Sequence, residues 1–119
     1  DENFKDTLKA KNLNQVNTKK DVIEDVKTFL TCFYSRGQVY TITPDYLRKK
    51  YKSKVVPLLP MVKYFEAESV CFSYVSPKKE EKYAINKEYY TMIIQFITNG
   101  RNTPVLEKVL DKIIKDYKW

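Results

Sequence analysis

Six cationic side chains, Arg36, Arg48, Lys49, Lys50, Lys52 and Lys54, fall within one short stretch that holds a single carboxylate, Asp45. Most of the chain's net charge of +7 is therefore concentrated there. Cations gathered this way are what contact with a phosphate backbone requires, because each neutralised phosphate releases counterions and adds affinity at low salt. Tyr46 and Tyr51 flank the run and offer ring faces on which bases or sugars stack. The solvated face of a short helix carries the same pattern, with Tyr46, Leu47, Tyr51 and the stem of Lys50 packed inward. Lys78 and Lys79, with Lys82 close by, make a second basic group, but Glu80 and Glu81 nearly cancel it, as on an ordinary soluble turn.

Other chemistry is poorly supplied. The chain has no histidine, which removes imidazole bases, Ser-His and Cys-His nucleophile pairs and the commonest metal ligand. Two cysteines without histidine do not assemble a structural zinc site. Two glycines, Gly37 and Gly100, are too few for a phosphate-cradling loop or a dinucleotide fingerprint. The carboxylate pairs Glu66/Glu68 and Glu80/Glu81 have no apolar wall beside them to raise a pKa for acid–base work. The expectation is a non-catalytic chain with no cofactor, no metal and no small-molecule substrate. Cys32 and Cys71 each sit in an apolar pattern and read as buried free thiols in a reducing compartment, with a Cys32–Cys71 bridge as the alternative.

Hydrophobic spacing places these residues on elements. Residues 1–17 form a polar lead-in, and 18–119 read as one domain. Thr18 precedes a helix over 19–36 in which Val22, Ile23, Val26, Phe29, Leu30 and Phe33 recur at helical spacing, and which ends at Gly37. Val39 to Ile42 is β-branched and aromatic and predicts a short strand. Thr43-Pro44 starts a short helix to Tyr51, and a further helix runs from Leu58 to Ala67. Alternation then places Val70, Phe72 and Tyr74 on one face of a strand, Ser76 to Glu81 forms a turn, and Tyr83 to Ile85 returns. Asn86 precedes a helix to about Thr98, and Thr103-Pro104 starts the last one, to about Lys118. Expected core residues are Phe29, Phe33, Leu47, Phe65, Phe72, Ile93 and Phe96.

The fold class implied is α+β. The order helix, short strand, two helices and β-hairpin, from Asp21 to Asn86, resembles the winged-helix superfamily, here with two added C-terminal helices. Within it, the hairpin from Ser69 to Asn86 followed directly by a helix is similar to the C-terminal winged helices of origin-recognition and silencing ATPases. A short helix after a strand and an added C-terminal helix also resemble LOTUS domains, although the glycine before the last core helix is missing here. Neither resemblance assigns a functional residue.

Two functions follow from this reading. One is nucleic-acid binding, DNA or RNA, through Arg36, Arg48, Lys49, Lys50, Lys52, Lys54, Lys78 and Lys79, within a larger chromatin, replication or RNA-handling protein. Sequence-specific readout is not expected, because the helix that would enter a groove, Leu58 to Ala67, contains no Arg, Asn or Gln. The other is a protein-interaction or homodimerisation module built on the apolar third helix and on the last helix, whose Leu106, Val109, Leu110 and Ile113 form a stripe that something must cover. In the blander alternative that stripe docks on the first helix. No run of about 20 apolar residues occurs, so no membrane partner is expected. The compartment expected is intracellular, the nucleus if the source is eukaryotic.

Overall fold

The computed structural model describes residues 19–116. The polar lead-in at 1–17, the Thr18 cap and the helix end at Tyr117 and Lys118 lie outside the described residues. Helix α1 runs over 19–31 and buries Val22, Val26, Phe29 and Leu30 at the three- and four-residue intervals that keep one face inward. It stops short of Gly37, contrary to the helix expected over 19–36. Arg36 (φ 47°) and Gly37 (φ 82°) instead form the two-residue turn of a hairpin between β1, Tyr34–Ser35, and β2, Gln38–Val39. Two successive left-handed residues give a turn whose twist matches that of the strands, and glycine supplies one of them at no steric cost.

The strand expected from Val39 to Ile42 is only partly regular. Beyond β2, Ile42 makes a single antiparallel bridge to Tyr83, each residue donating its amide to the other's carbonyl at 2.9 and 2.8 Å. Helix α2, Pro44–Lys50, begins as its sequence dictates: the Thr43 hydroxyl accepts the Tyr46 amide at 3.1 Å, and Pro44 occupies a position whose N–H would be idle. Helix α3, Leu58–Ala67, buries Met61, Val62 and Phe65. Phe65 stacks on Phe29 with ring centres 5.1 Å apart, and Phe33 and Tyr51 meet Phe29 edge-on. These rings fasten α1, α2 and α3 to one another.

Strands β3, Cys71–Val75, and β4, Glu81–Ile85, pair antiparallel with Phe72 opposite Ala84 and Tyr74 opposite Lys82. Phe72 is not core: it is 40% exposed. Ser69 is left-handed (φ 61°) and the Val70 amide closes back onto the Phe65 carbonyl of α3, so Val70 belongs to the end of that helix. In β3 Cys71 is buried while Phe72 and Tyr74, on the opposite face, are exposed, as are Ser73 and Val75 further along, and a one-residue change of phase reverses every side chain of a strand.

A short 3₁₀ turn, Lys87–Tyr89, leads into α4, Tyr90–Asn99, which Gly100 ends in the left-handed conformation (φ 67°). Helix α5, Pro104–Asp116, buries Leu106, Val109, Leu110 and Ile113 and packs on α3. Lys108 and Lys112 both reach Glu68 at the end of α3, at 3.4 and 3.0 Å. One hydrophobic cluster draws on all five described helices and the base of the β3–β4 hairpin, and the architecture is α+β.

Candidate nucleic-acid interface

Arg48, Lys49 and Lys50 occupy successive positions of the last turn of α2, and a helix rotates about 100° per residue. The basic run is therefore divided around α2. Arg48 pairs with Asp45 one turn earlier and borders a groove with Pro57, Leu58 and Tyr83. Lys50 lies on the other side, facing α1, with its ammonium 5.7 Å from the Tyr46 ring centre. Lys49 and Lys52 stand exposed, with no ion pair among the described residues.

Lys54 is already engaged. Its ammonium bonds Glu24 of α1, which raises the Lys54 pKa and lowers that of Glu24, so both remain charged. Its backbone amide donates to Asp25 at 2.9 Å. Arg36 sits at the tip of the β1–β2 turn and borders neither of the grooves beside Tyr46. Lys78 and Lys79 occupy the far turn of the β3–β4 hairpin, which the Ser76 hydroxyl closes by accepting the Glu80 amide. Of the eight cations singled out from the sequence, Lys50 lines a groove that also holds an exposed aromatic ring and a second lysine.

That groove runs between α1 and α2. Lys27, Thr28 and Thr31 form its α1 wall, Tyr46 and Lys50 its α2 wall, and Cys32 its floor. Helical period sets Lys27 and Thr31 one turn apart on one face, and the Thr31 hydroxyl donates to the Lys27 carbonyl at 2.6 Å, which leaves its lone pairs outward. The Tyr46 ring is 43% exposed. Tyr46 also borders a second groove, with Tyr34, Tyr40, Thr41 and Lys82, so the two depressions share a wall. Two ammonium groups beside an open ring suit an anionic group attached to a flat one.

Several expectations are corrected here. Tyr51 is buried at 6% exposure and donates its hydroxyl to the Val56 carbonyl at 2.6 Å, so its ring is not offered for stacking. Leu106, Val109, Leu110 and Ile113 are covered by the chain's own core, the first, second and fourth completely. They present no surface to a partner, because burying an apolar stripe of this length against α3 removes it from water without a second chain. Burial pushes the Cys32 thiol up to about 11 and the Cys71 thiol up to about 12, and both cysteines are free, so both remain thiols at neutral pH.

Sequence reasoning missed Lys27 and Tyr40 as members of this surface and grouped Lys82 with the hairpin turn instead. Lys27 follows Glu24 and Asp25 in α1, and only the packing of α1 against α2 brings it to Lys50. The one available signal was the Lys27–Thr31 spacing, which sets the two on one face of α1. On α3 the exposed residues are Leu59, Lys63, Glu66 and Ala67, a face with one hydrogen-bond donor side chain. Among the described residues no helix is long and apolar enough to cross a membrane. Comparison with family models, curated proteins and solved structures finds no match to this chain.

Proposed function

We propose that this chain is a non-catalytic nucleic-acid-binding domain with a winged-helix-like layout, gripping the phosphate backbone with little sequence preference. The layout reading rests on the order α1, the Ile42 bridge, α2, α3 and the β3–β4 hairpin, with Ile42 set against Tyr83 as a first strand beside the last. The functional reading is carried by the α1–α2 groove, where Lys27 and Lys50 flank an exposed Tyr46. Phosphate oxygens take the Lys27 and Lys50 ammonium groups, and Lys49 and Lys52 add exposed charge alongside. Such contacts position a strand and carry no sequence information, and α3 lacks the Arg, Asn or Gln that reads base edges.

Fluorescence anisotropy across a salt series tests this. Lys27→Glu with Lys50→Glu lowers affinity equally for unrelated sequences and flattens the salt slope by about one for each lost contact. Lys54→Glu, whose side chain is held by Glu24, leaves the slope nearly unchanged. Parent-like binding by the Lys27/Lys50 double variant sinks the proposal.

A protein-contact module is the second reading. Leu59 is 67% exposed on α3, at the meeting of a groove toward α2 and another toward α5 lined by Tyr64, Ala67 and Lys112. Light scattering separates it from the first: a concentration-dependent dimer that Leu59→Glu abolishes favours self-association through this edge.

A further inference from the structure

The groove beside Tyr46 does not end at β4. Thr41 lines both the depression that holds Tyr40 and Tyr46 and a third one, floored by Ala84, whose walls are Phe72, Tyr74 and Tyr90. Through Tyr46 and Thr41 the three depressions adjoin one another in series, from the α1–α2 groove to the outer face of the β3–β4 hairpin. Four rings stand open along this series: Tyr40 at 48%, Tyr46 at 43%, Tyr74 at 41% and Phe72 at 40% exposure. Single exposed apolar residues need no explanation, but a contiguous row of them does.

Their arrangement narrows the occupant. Phe72 and Tyr74 are neighbours on one strand face, with ring centres 6.0 Å apart and planes tilted by 33°, so each offers its own platform. Lys82 stands directly opposite Tyr74 in the ladder and therefore on the same face. Its ammonium pairs with Glu80 at 3.3 Å, and it also borders the Tyr40–Tyr46 depression, and so lies between the two pairs of rings. Rings alternating with ammonium groups match a polymer that alternates flat bases with phosphates. In a duplex the base faces are hidden in their own stack, so only an unpaired strand can use the rings.

We infer that the ligand of this surface is single-stranded nucleic acid, its backbone held by Lys27 and Lys50, with Lys82 exchanging Glu80 for phosphate, and successive bases stacked on Tyr46, Tyr40, Tyr74 and Phe72. This rests on the nucleic-acid reading above and adds strand state and the site of base contact to it. Stacking on aromatic side chains tolerates any base, which agrees with an interface poor in groups that read base edges.

The test uses the full chain and three probes: a mixed-sequence oligonucleotide of about 12 nucleotides, the matching duplex, and the same strand with abasic positions in its middle. The parent binds the single strand about tenfold more tightly than the duplex and loses about tenfold on the abasic strand, as expected for one to two lost stacking contacts. Phe72→Leu with Tyr74→Leu keeps apolar cover over Ala84 while removing both ring faces. It reproduces the abasic loss on the intact strand, with the salt slope and duplex affinity unchanged. Equal affinity for all three probes overturns the stacking inference and leaves backbone binding standing, as does parent-like binding of the single strand by the Leu variant. Failure of the parent to bind any probe at low salt removes both.

Discussion

The carboxylate of Asp25 accepts the backbone amide of Val56 at 2.9 Å across the boundary between α1 and the segment that leads into α3. The amides of Lys54 and Val55 reach the same carboxylate at 2.9 and 2.8 Å. Asp25 is 1% exposed and is the buried charged residue of the described core. It serves as the partner for an irregular segment that has no helix or strand to satisfy its N–H groups. Asp25→Ala leaves three inward amides unpaired and costs about 3 kcal/mol or more, since bonds to a charged acceptor are the stronger kind and buried orphans are costly. Asp25→Asn keeps one acceptor oxygen but points an NH₂ at donors, and recovers little. Urea midpoints for the two variants check this, and a loss within about 0.5 kcal/mol for either would remove Asp25 from this role.

The strand phase set by Ser69 separates two phenylalanines that composition alone treats alike. Phe65 is fully buried against Phe29, so Phe65→Ala opens a cavity and costs about 3–5 kcal/mol. Phe72→Ala acts at a ring already 40% exposed and costs about 1 kcal/mol or less. Chemical denaturation of both variants decides it. Equal losses would mean that β3 has the opposite phase.

How far the sequence revealed this architecture depended on whether the signal was local. Thr43-Pro44 and Thr103-Pro104 mark the starts of α2 and α5, and Gly100 marks the end of α4, because a cap acts within one turn. Gly37 misled for the same reason: a left-handed glycine serves equally as a helix cap and as half of a hairpin turn, and only the Tyr34–Val39 pairing chooses between them. The number of cations near α2 was legible; their division around it followed from helix rotation and from Glu24, remote in sequence, claiming Lys54. Lys27 comes from α1, Tyr40 from the segment after β2 and Lys82 from β4, and no spacing along the chain joins them.

Cys32 and Cys71 supply a prediction about reactivity. The attacking species is the thiolate, and burial pushes the two pKa values up to about 11 and about 12. The Cys32 thiol is held further by donating to the Thr28 carbonyl at 3.2 Å. A thiol reagent at mildly alkaline pH therefore finds almost no reactive group in the folded chain and both cysteines after denaturation. Rapid labelling of Cys32 in the native state would show that the α1–α2 groove opens at its floor. Finding no free thiol in denaturant would instead mean that the two are bridged.

Glu68 sets the final expectation, in acid. Lys112 chiefly, with Lys108, holds its pKa below the ordinary carboxylate value, and the three side chains tie the end of α3 to α5. A carboxylate with a lower pKa in the folded chain than in the unfolded one stabilises the fold above its unfolded pKa. That contribution is lost as pH falls through the folded value, because the unfolded state takes up the proton first. Glu24 behaves in the same way beside Lys54. The urea midpoint of the parent therefore declines as pH drops through and below the ordinary carboxylate range, more so at low ionic strength, where these surface charges are least screened. Glu68→Gln keeps the Glu24 part of the decline and loses its own. Its curve starts below the parent's near neutrality and meets it at the acid end, where Glu68 is protonated in the parent as well. Curves that remain parallel throughout would show that the Glu68–Lys112 contact does not couple to folding.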